Sequence, residues 1–246
     1  MSCRCTEYYG EVILVKILIV GAGLIAYGCA YSALKEGNKV FVADHSTEFG
    51  LPNVWPSLLH DRNNIPLNFE TEQGFEGKDS GFRHEWIMKS MNIQLAKQGV
   101  VLLNKVRIVS SAKLPSGFNV HLKGASQMDG KHMFDMVIDT TEDTWIPWAK
   151  QHNLTDVSIC YEIERKPATG FLHIDTEAGN FSDAQLQLER YDGLIESWYS
   201  EQKESSNSKI LEIMSTNLPV DQNMWSCEQR FLNGMNLWDK LMEMNL

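Results

Sequence analysis

From residue 12 to residue 34 the chain is largely apolar, and its only charge is Lys16. That length matches a membrane-spanning helix, but the internal pattern does not. Gly21, Gly23 and Gly28 interrupt the run, and residues 16–20 (KILIV) are rich in β-branched side chains and meet a turn signal at once. A buried strand, a glycine turn and a buried helix in succession produce the same hydropathy. The pattern therefore predicts a strand at 16–20 and a helix at 24–36, with Ala26, Ala30 and Ala33 facing a sheet and Gly37-Asn38 ending it. A second strand follows at 39–43 and ends at Asp44. Two strands joined by a helix within about thirty residues lie parallel in one sheet.

Residues 45–82 are rich in Gly, Pro, Asn and acidic side chains and lack periodicity, which predicts a long functional loop or small lid. A helix is expected at 83–98, where Ile87, Met91 and Leu95 share a face before Gly99. Short strands are expected at 100–103, 106–109, 117–122 and 133–139, with a turn at Asp129-Gly130. After Thr144 the character changes. Antiparallel strands are expected at 157–165 and 171–175, a helix at 186–202 weakened by Gly193, and a polar linker at 202–208. Phe231, Met235, Trp238 and Met242 recur at helical spacing, so 228–246 reads as a final helix. The expected fold is α/β: a Rossmann-type parallel sheet with a β-meander, plus a smaller α+β region. The domains divide as 12–150, dinucleotide-binding, and 151–246, a substrate cap or interface region. Residues 1–11 read as a loose extension.

Composition narrows the function. A chain of 246 residues with 43% apolar and 22% charged residues builds an ordinary globular core. A net charge of -10 without a basic cluster argues against nucleic-acid and anionic-membrane surfaces. The five cysteines are scattered, and Cys3 and Cys5 have no second pair at metal-site spacing, so no metal site is expected and a reduced, cytoplasmic protein is.

The chemistry begins at Gly21-x-Gly23-x-x-Ala26, between a predicted strand and its helix. Gly21 permits the tight turn, Gly23 lets backbone approach a pyrophosphate at the positive end of the helix, and Ala26 is small enough for helix–strand packing. Asp44 stands where a carboxylate accepts ribose hydroxyls and repels a 2′-phosphate. Those residues fit FAD or NAD.

At this point the chain resembles FAD-dependent oxidoreductases of the glutathione-reductase and hydroxybenzoate-hydroxylase type, over about residues 16–145. The resemblance rests on the glycine turn, on Asp44 followed by Gly50, on an Arg83-led helix ending in Gly99-Val100, on Val106, and on the strand 136–143, MVIDTTED. It implies FAD as cofactor, with Gly21, Gly23, Ala26, Asp44, Gly50, Arg83, Val106 and Thr141 around it. There are departures. Glu142 stands where the group has glycine, the late Gly-Asp signature is missing, and the chain is short for the group. The stretch 231–239, FLNGMNLWD, resembles the helix that follows that signature.

The resemblance implies a small organic substrate. An NAD-dependent enzyme using the same turn and a non-catalytic shortened homologue acting as a subunit are the alternatives. No catalytic residue stands out. His45 reads as a loop residue near the adenosine end, and His60 and His84 read as exposed polar residues more readily than flavin-facing ones. Seven tryptophans, Trp55, Trp86, Trp145, Trp148, Trp198, Trp225 and Trp238, read as core or subunit interface rather than a substrate pocket. Homo- or hetero-oligomerisation stays open.

Overall fold

The protein is described from a computed structural model covering residues 14–50, 54–67, 80–124, 127–141, 156–204 and 209–245. The first unit runs β1 (Lys16–Val20), α1 (Leu24–Lys35) and β2 (Lys39–Ala43). A two-stranded ribbon of β3 (Leu58–Leu59) and β4 (Ser80–Gly81) precedes α2 (His84–Lys97) and β5 (Val101–Leu103). Next come β6 (Val106–Leu114), β7 (Gly117–Gly124) and β8 (Gly130–Phe134), an antiparallel meander, and then β9 (Met136–Asp139) and β10 (Ile159–Cys160). The remainder is β11 (Arg165–Ile174), β12 (Leu186–Glu189), β13 (Leu194–Tyr199), β14 (Ile210–Pro219) and α3 (Cys227–Asn245).

The main sheet is all parallel, in the order β10-β9-β1-β2-β5. Both of its faces are covered, which is why β1 is a continuous apolar run. Ile17 and Ile19 point into a core shared with α1, α2 and α3, and Leu18 and Val20 point into one shared with the meander. A second sheet, antiparallel in the order β12-β13-β11-β14, packs Trp198, Ala168 and Leu218 against Trp55 and Trp225. Trp238 is buried among the helices, so four of the seven tryptophans are core residues. Trp145 and Trp148 lie outside the described residues.

Three expectations need correction. Residues 186–202 are not a helix but β12 and β13, joined through Gly193 at φ +77°. The apolar spacing fits either period over so short a span. Pairing with β11 and the turn at Gly193 decide it. The stretch 157–165 is not antiparallel: β10 adds to the parallel sheet beside β9, and β11 starts at Arg165. The strand expected at 133–139 is two strands in different sheets. Asp135 marks the break, donating its N–H to Lys16 O at 2.8 Å and accepting the Lys16 N–H on Oδ2 at 2.6 Å. Residues 1–11 and 205–208 lie outside the described residues.

The last helix returns to the Rossmann layer. Ser226 caps it, its Oγ accepting the Gln229 N–H at 3.2 Å, in the Ser-x-x-Gln pattern of a capping box. It crosses α1 backbone to backbone. A Cβ on Gly28 would lie 1.9 Å from Phe231 O, and one on Gly234 would lie 2.1 Å from Ile25 O. Beside the crossing, Cys227 Sγ lies 3.9 Å from His84 Nδ1 and accepts from Arg230 Nη2 at 3.5 Å. His84, expected to be exposed, is 4% exposed, and burial together with the Arg230 charge holds its pKa well below 6.5.

Two outcomes are expected. Gly28→Val or Gly234→Val destabilises by roughly 3 kcal/mol or more, because backbone must move to admit the side chain. Gly179→Ala, where an added Cβ meets nothing within 4 Å, is the silent control in the same denaturant titration. His84 takes a proton near pH 6.5 in the unfolded chain but not in the folded one, so its contribution is present above that pH and lost below it. Between about pH 7.5 and about pH 5.5, the Tm of the wild type falls, and His84→Phe falls less steeply. Equal slopes would remove His84 from the account.

Candidate functional site

The glycine turn lies where three strand ends meet. Gly21 has φ +104° and donates its N–H to Ala43 O at 2.9 Å, tying the end of β1 to that of β2. Thr140 donates both its N–H and its Oγ1–H to Val20 O at 2.9 Å, tying in the end of β9. A Cβ at Gly21 would lie 3.0 Å from Thr140 O and 3.1 Å from Thr141 N. Sterics and backbone conformation thus both require glycine. Gly23 is the N-cap of α1 in an extended conformation, φ -88° and ψ 178°, and supplies no side-chain cap. The first turn keeps its positive end without a neutralising side chain, the arrangement that holds a phosphate. Ala26 is fully buried in that turn.

Asp139 underlies the turn and has a part that its place at a strand end did not reveal. It is fully buried; its Oδ1 accepts the Thr141 N–H at 3.1 Å and Oγ1–H at 2.8 Å, and its Oδ2 accepts from Cys160 Sγ at 3.5 Å. The sequence signal is a strand-end acid followed by two threonines. Thr141 is therefore held beside Gly21 by Asp139.

Asp44 ends β2 as expected. Its N–H donates to Leu103 O, and its carbonyl accepts the Val106 N–H, both at 3.0 Å. The carboxylate Oδ1 accepts the Ser46 N–H at 2.7 Å and lies 3.8 Å from the exposed His45 Nδ1. Among the described residues Oδ2 has no partner, which leaves an acceptor for a hydroxyl. Val106 is buried, with its backbone N–H spent on Asp44.

Gly50 and Arg83 belong to the neighbourhood of α2. Gly50 has φ +82°, and a Cβ there would lie 2.6 Å from Met88 Cβ, so packing demands glycine. Arg83 is the N-cap of α2 and half-exposed; its Nε lies 3.8 Å from Glu85 and its guanidinium 5.7 Å from the Trp86 ring centroid. The structure thus joins Gly21, Gly23, Ala26 and Thr141 at the turn, and Asp44 and Val106 at the end of β2. Glu142 lies outside the described residues. The link from β14 to α3, residues 220–226, contains no glycine.

The uncapped helix, the obligatory glycine and the available Asp44 oxygen fit the adenosine diphosphate half of a dinucleotide. The turn is buried throughout. A cavity of about 470 Å³ opens elsewhere, at the start of α3, and none of the eight residues named for the cofactor lines it. Among the described residues, no helix is long and apolar enough to cross a membrane.

No protein-family model matches the chain, and no curated protein matches it by sequence. Solved structures do match. A geranylgeranyl bacteriochlorophyll reductase-like protein from Thermoplasma acidophilum aligns with TM-score 0.61 at 11% identity, over 94% of this chain and 79% of that one. The p-nitrophenol 4-monooxygenase PnpA from Pseudomonas putida DLL-E4 aligns with TM-score 0.61 at 10% identity, over 94% and 80%. The flavin-dependent monooxygenase PieE, solved with FAD and substrate, aligns with TM-score 0.58 at 11% identity, over 94% of this chain and 58% of that one. At such identities the likeness is one of fold: this chain has the α/β, Rossmann-type fold of FAD-binding oxidoreductases.

Proposed function

We propose that this chain is a cytoplasmic FAD-binding flavoprotein of the glutathione-reductase and hydroxybenzoate-hydroxylase type, an oxidoreductase acting on a small organic substrate. The observation that carries the reading is the turn itself: Gly21 seated against the Thr140–Thr141 peptide beneath an uncapped α1. Gly23 and the first turn of α1 face the pyrophosphate, Gly21 and Thr141 shape the turn that admits it, and Ala26 keeps α1 close to the sheet. Asp44 Oδ2 accepts from the ribose, Val106 borders the adenine, and Gly50 and Arg83 complete the surround from the α2 side. The FAD-bound neighbour agrees with this reading. A flavin supplies the hydride or oxygen chemistry itself, so the protein's part is to bind, orient and exclude water. In this reading residues 12–150 supply most of the cofactor domain, to which β10 and α3 add, and the second sheet, β11 to β14, covers the substrate. The glycine-free link before α3 favours one other reading, a homologue that keeps the fold as a non-catalytic subunit.

The visible absorption spectrum of the purified protein decides among the readings. Flavin bands in the blue and near-ultraviolet are expected, either as isolated or after loading with FAD. A colourless protein whose Tm rises with NAD but not FAD would give the site to NAD, and no response to either would leave the non-catalytic subunit. Asp44→Ala should weaken FAD binding by roughly 10- to 100-fold, the loss of a hydrogen bond to a charged acceptor. Unchanged affinity would remove Asp44 from the site.

A further inference from the structure

The cavity at the start of α3 is built from three separate parts of the chain. His60 and Asn64 come from the segment after β3, Asp221 and Asn223 from the link before α3, and Glu228 and Asn233 from α3. Two carboxylates and neither lysine nor arginine line it. Met224 and Leu232 supply an apolar wall, and Met224 is fixed because its sulfur accepts from Asn233 Nδ2.

Glu228 is the informative residue. It is 4% exposed. Its Oε1 accepts the backbone N–H of His60 at 2.7 Å and of Asp61 at 3.3 Å, which holds the carboxylate in one orientation. Its Oε2 is buried and has no hydrogen-bond partner among the described residues. Native interiors seldom leave a carboxylate oxygen unmatched, because the desolvation cost goes uncompensated. A donor from outside the chain resolves this.

The lining also indicates what kind of donor. Among the described residues, no group of three or more His, Cys, Asp and Glu is placed to hold a metal ion. An ammonium or guanidinium group brings several N–H donors, a positive charge and no acceptor, which matches a carboxylate oxygen in an acidic, cation-free wall. Met224 and Leu232 then accommodate an alkyl chain. We propose that this cavity is a binding site for a small aliphatic organic cation, its N–H head bonded to Glu228 Oε2 and its chain lying along Met224 and Leu232. The site is independent of the cofactor reading, since no residue of the glycine turn takes part.

Calorimetric titration and thermal melts of the full chain, with and without FAD, test it using butylammonium and butylguanidinium chloride as probes and sodium butyrate as the anionic control. At least one cation binds with a Kd of about 10 mM or tighter and raises Tm, while butyrate does neither. Glu228→Gln keeps the acceptor for His60 and Asp61 and weakens the cation at least ~10-fold. Should that variant fail to fold by circular dichroism, Leu232→Trp, which fills the cavity from α3 without touching the carboxylate, abolishes binding instead. The proposal is overturned by butyrate binding as well as the cations, by wild-type affinity in a folded variant, or by no cation binding up to ~10 mM. Cation binding by a protein that takes up no flavin leaves this site standing while the cofactor reading fails.

Discussion

Two helices touching through bare backbone set the geometry of the rest of this structure. Gly28 of α1 and Gly234 of α3 each lie so close to the other helix that a single added carbon would collide with a carbonyl oxygen. At that separation α1 cannot rotate or slide without moving α3. The glycine turn is the N-terminal end of α1, so its position over the sheet is inherited from the crossing. The junction of His84, Cys227 and Arg230 extends the same constraint to α2.

The second sheet is fastened to this layer by a buried acid and by aromatic rings. Glu196, buried on β13, accepts from Ser57 N and Oγ, from Trp198 Nε1 and from Arg190 Nη1. Burial raises its pKa, and the donors around it oppose that rise. Ser57 belongs to the segment leading into β3, so this acid draws that segment onto the second sheet. The Arg230 guanidinium, on α3, stacks 4.3 Å from the centroid of Trp55, and Trp225 Nε1 donates to Pro219 O. Trp55, Trp198 and Trp225 therefore fasten the second sheet to the segment before β3 and to the start of α3.

Local signals were legible in the sequence; pairings made over distance were not. β1, α1 and β2 could be read because apolar period, glycines and a terminal acid agree within one short stretch. The same local logic placed α2 and α3. It failed at 186–202, where Leu186, Leu188, Ile195 and Trp198 suit a helix or two strands and only pairing with β11 distinguishes them. It also failed at Asp135, where a strand changes sheets because of a partner, Lys16, far away in sequence. At the candidate site, Gly21, Gly23 and Asp44 were legible because their chemistry is local. Asp139 holding Thr141, two residues on, was missed although it is local, because a strand-end acid alone does not show which way its side chain turns. Glu228 was missed because its partners His60 and Asp61 lie 168 and 167 residues away.

The α1–α3 crossing also governs how the chain can be made. Gly28 and Gly234 are roughly two hundred residues apart, and contacts of such separation form late and slowly. A growing chain completes β1, α1 and β2 early, yet the face of α1 that carries Gly28 stays uncovered until residues 227–245 have been synthesised. During that interval an apolar groove shaped for a helix is exposed, and any amphipathic segment can occupy it in place of α3. Yield in a heterologous host should thus depend more on chaperone supply during translation than on the stability of the finished fold.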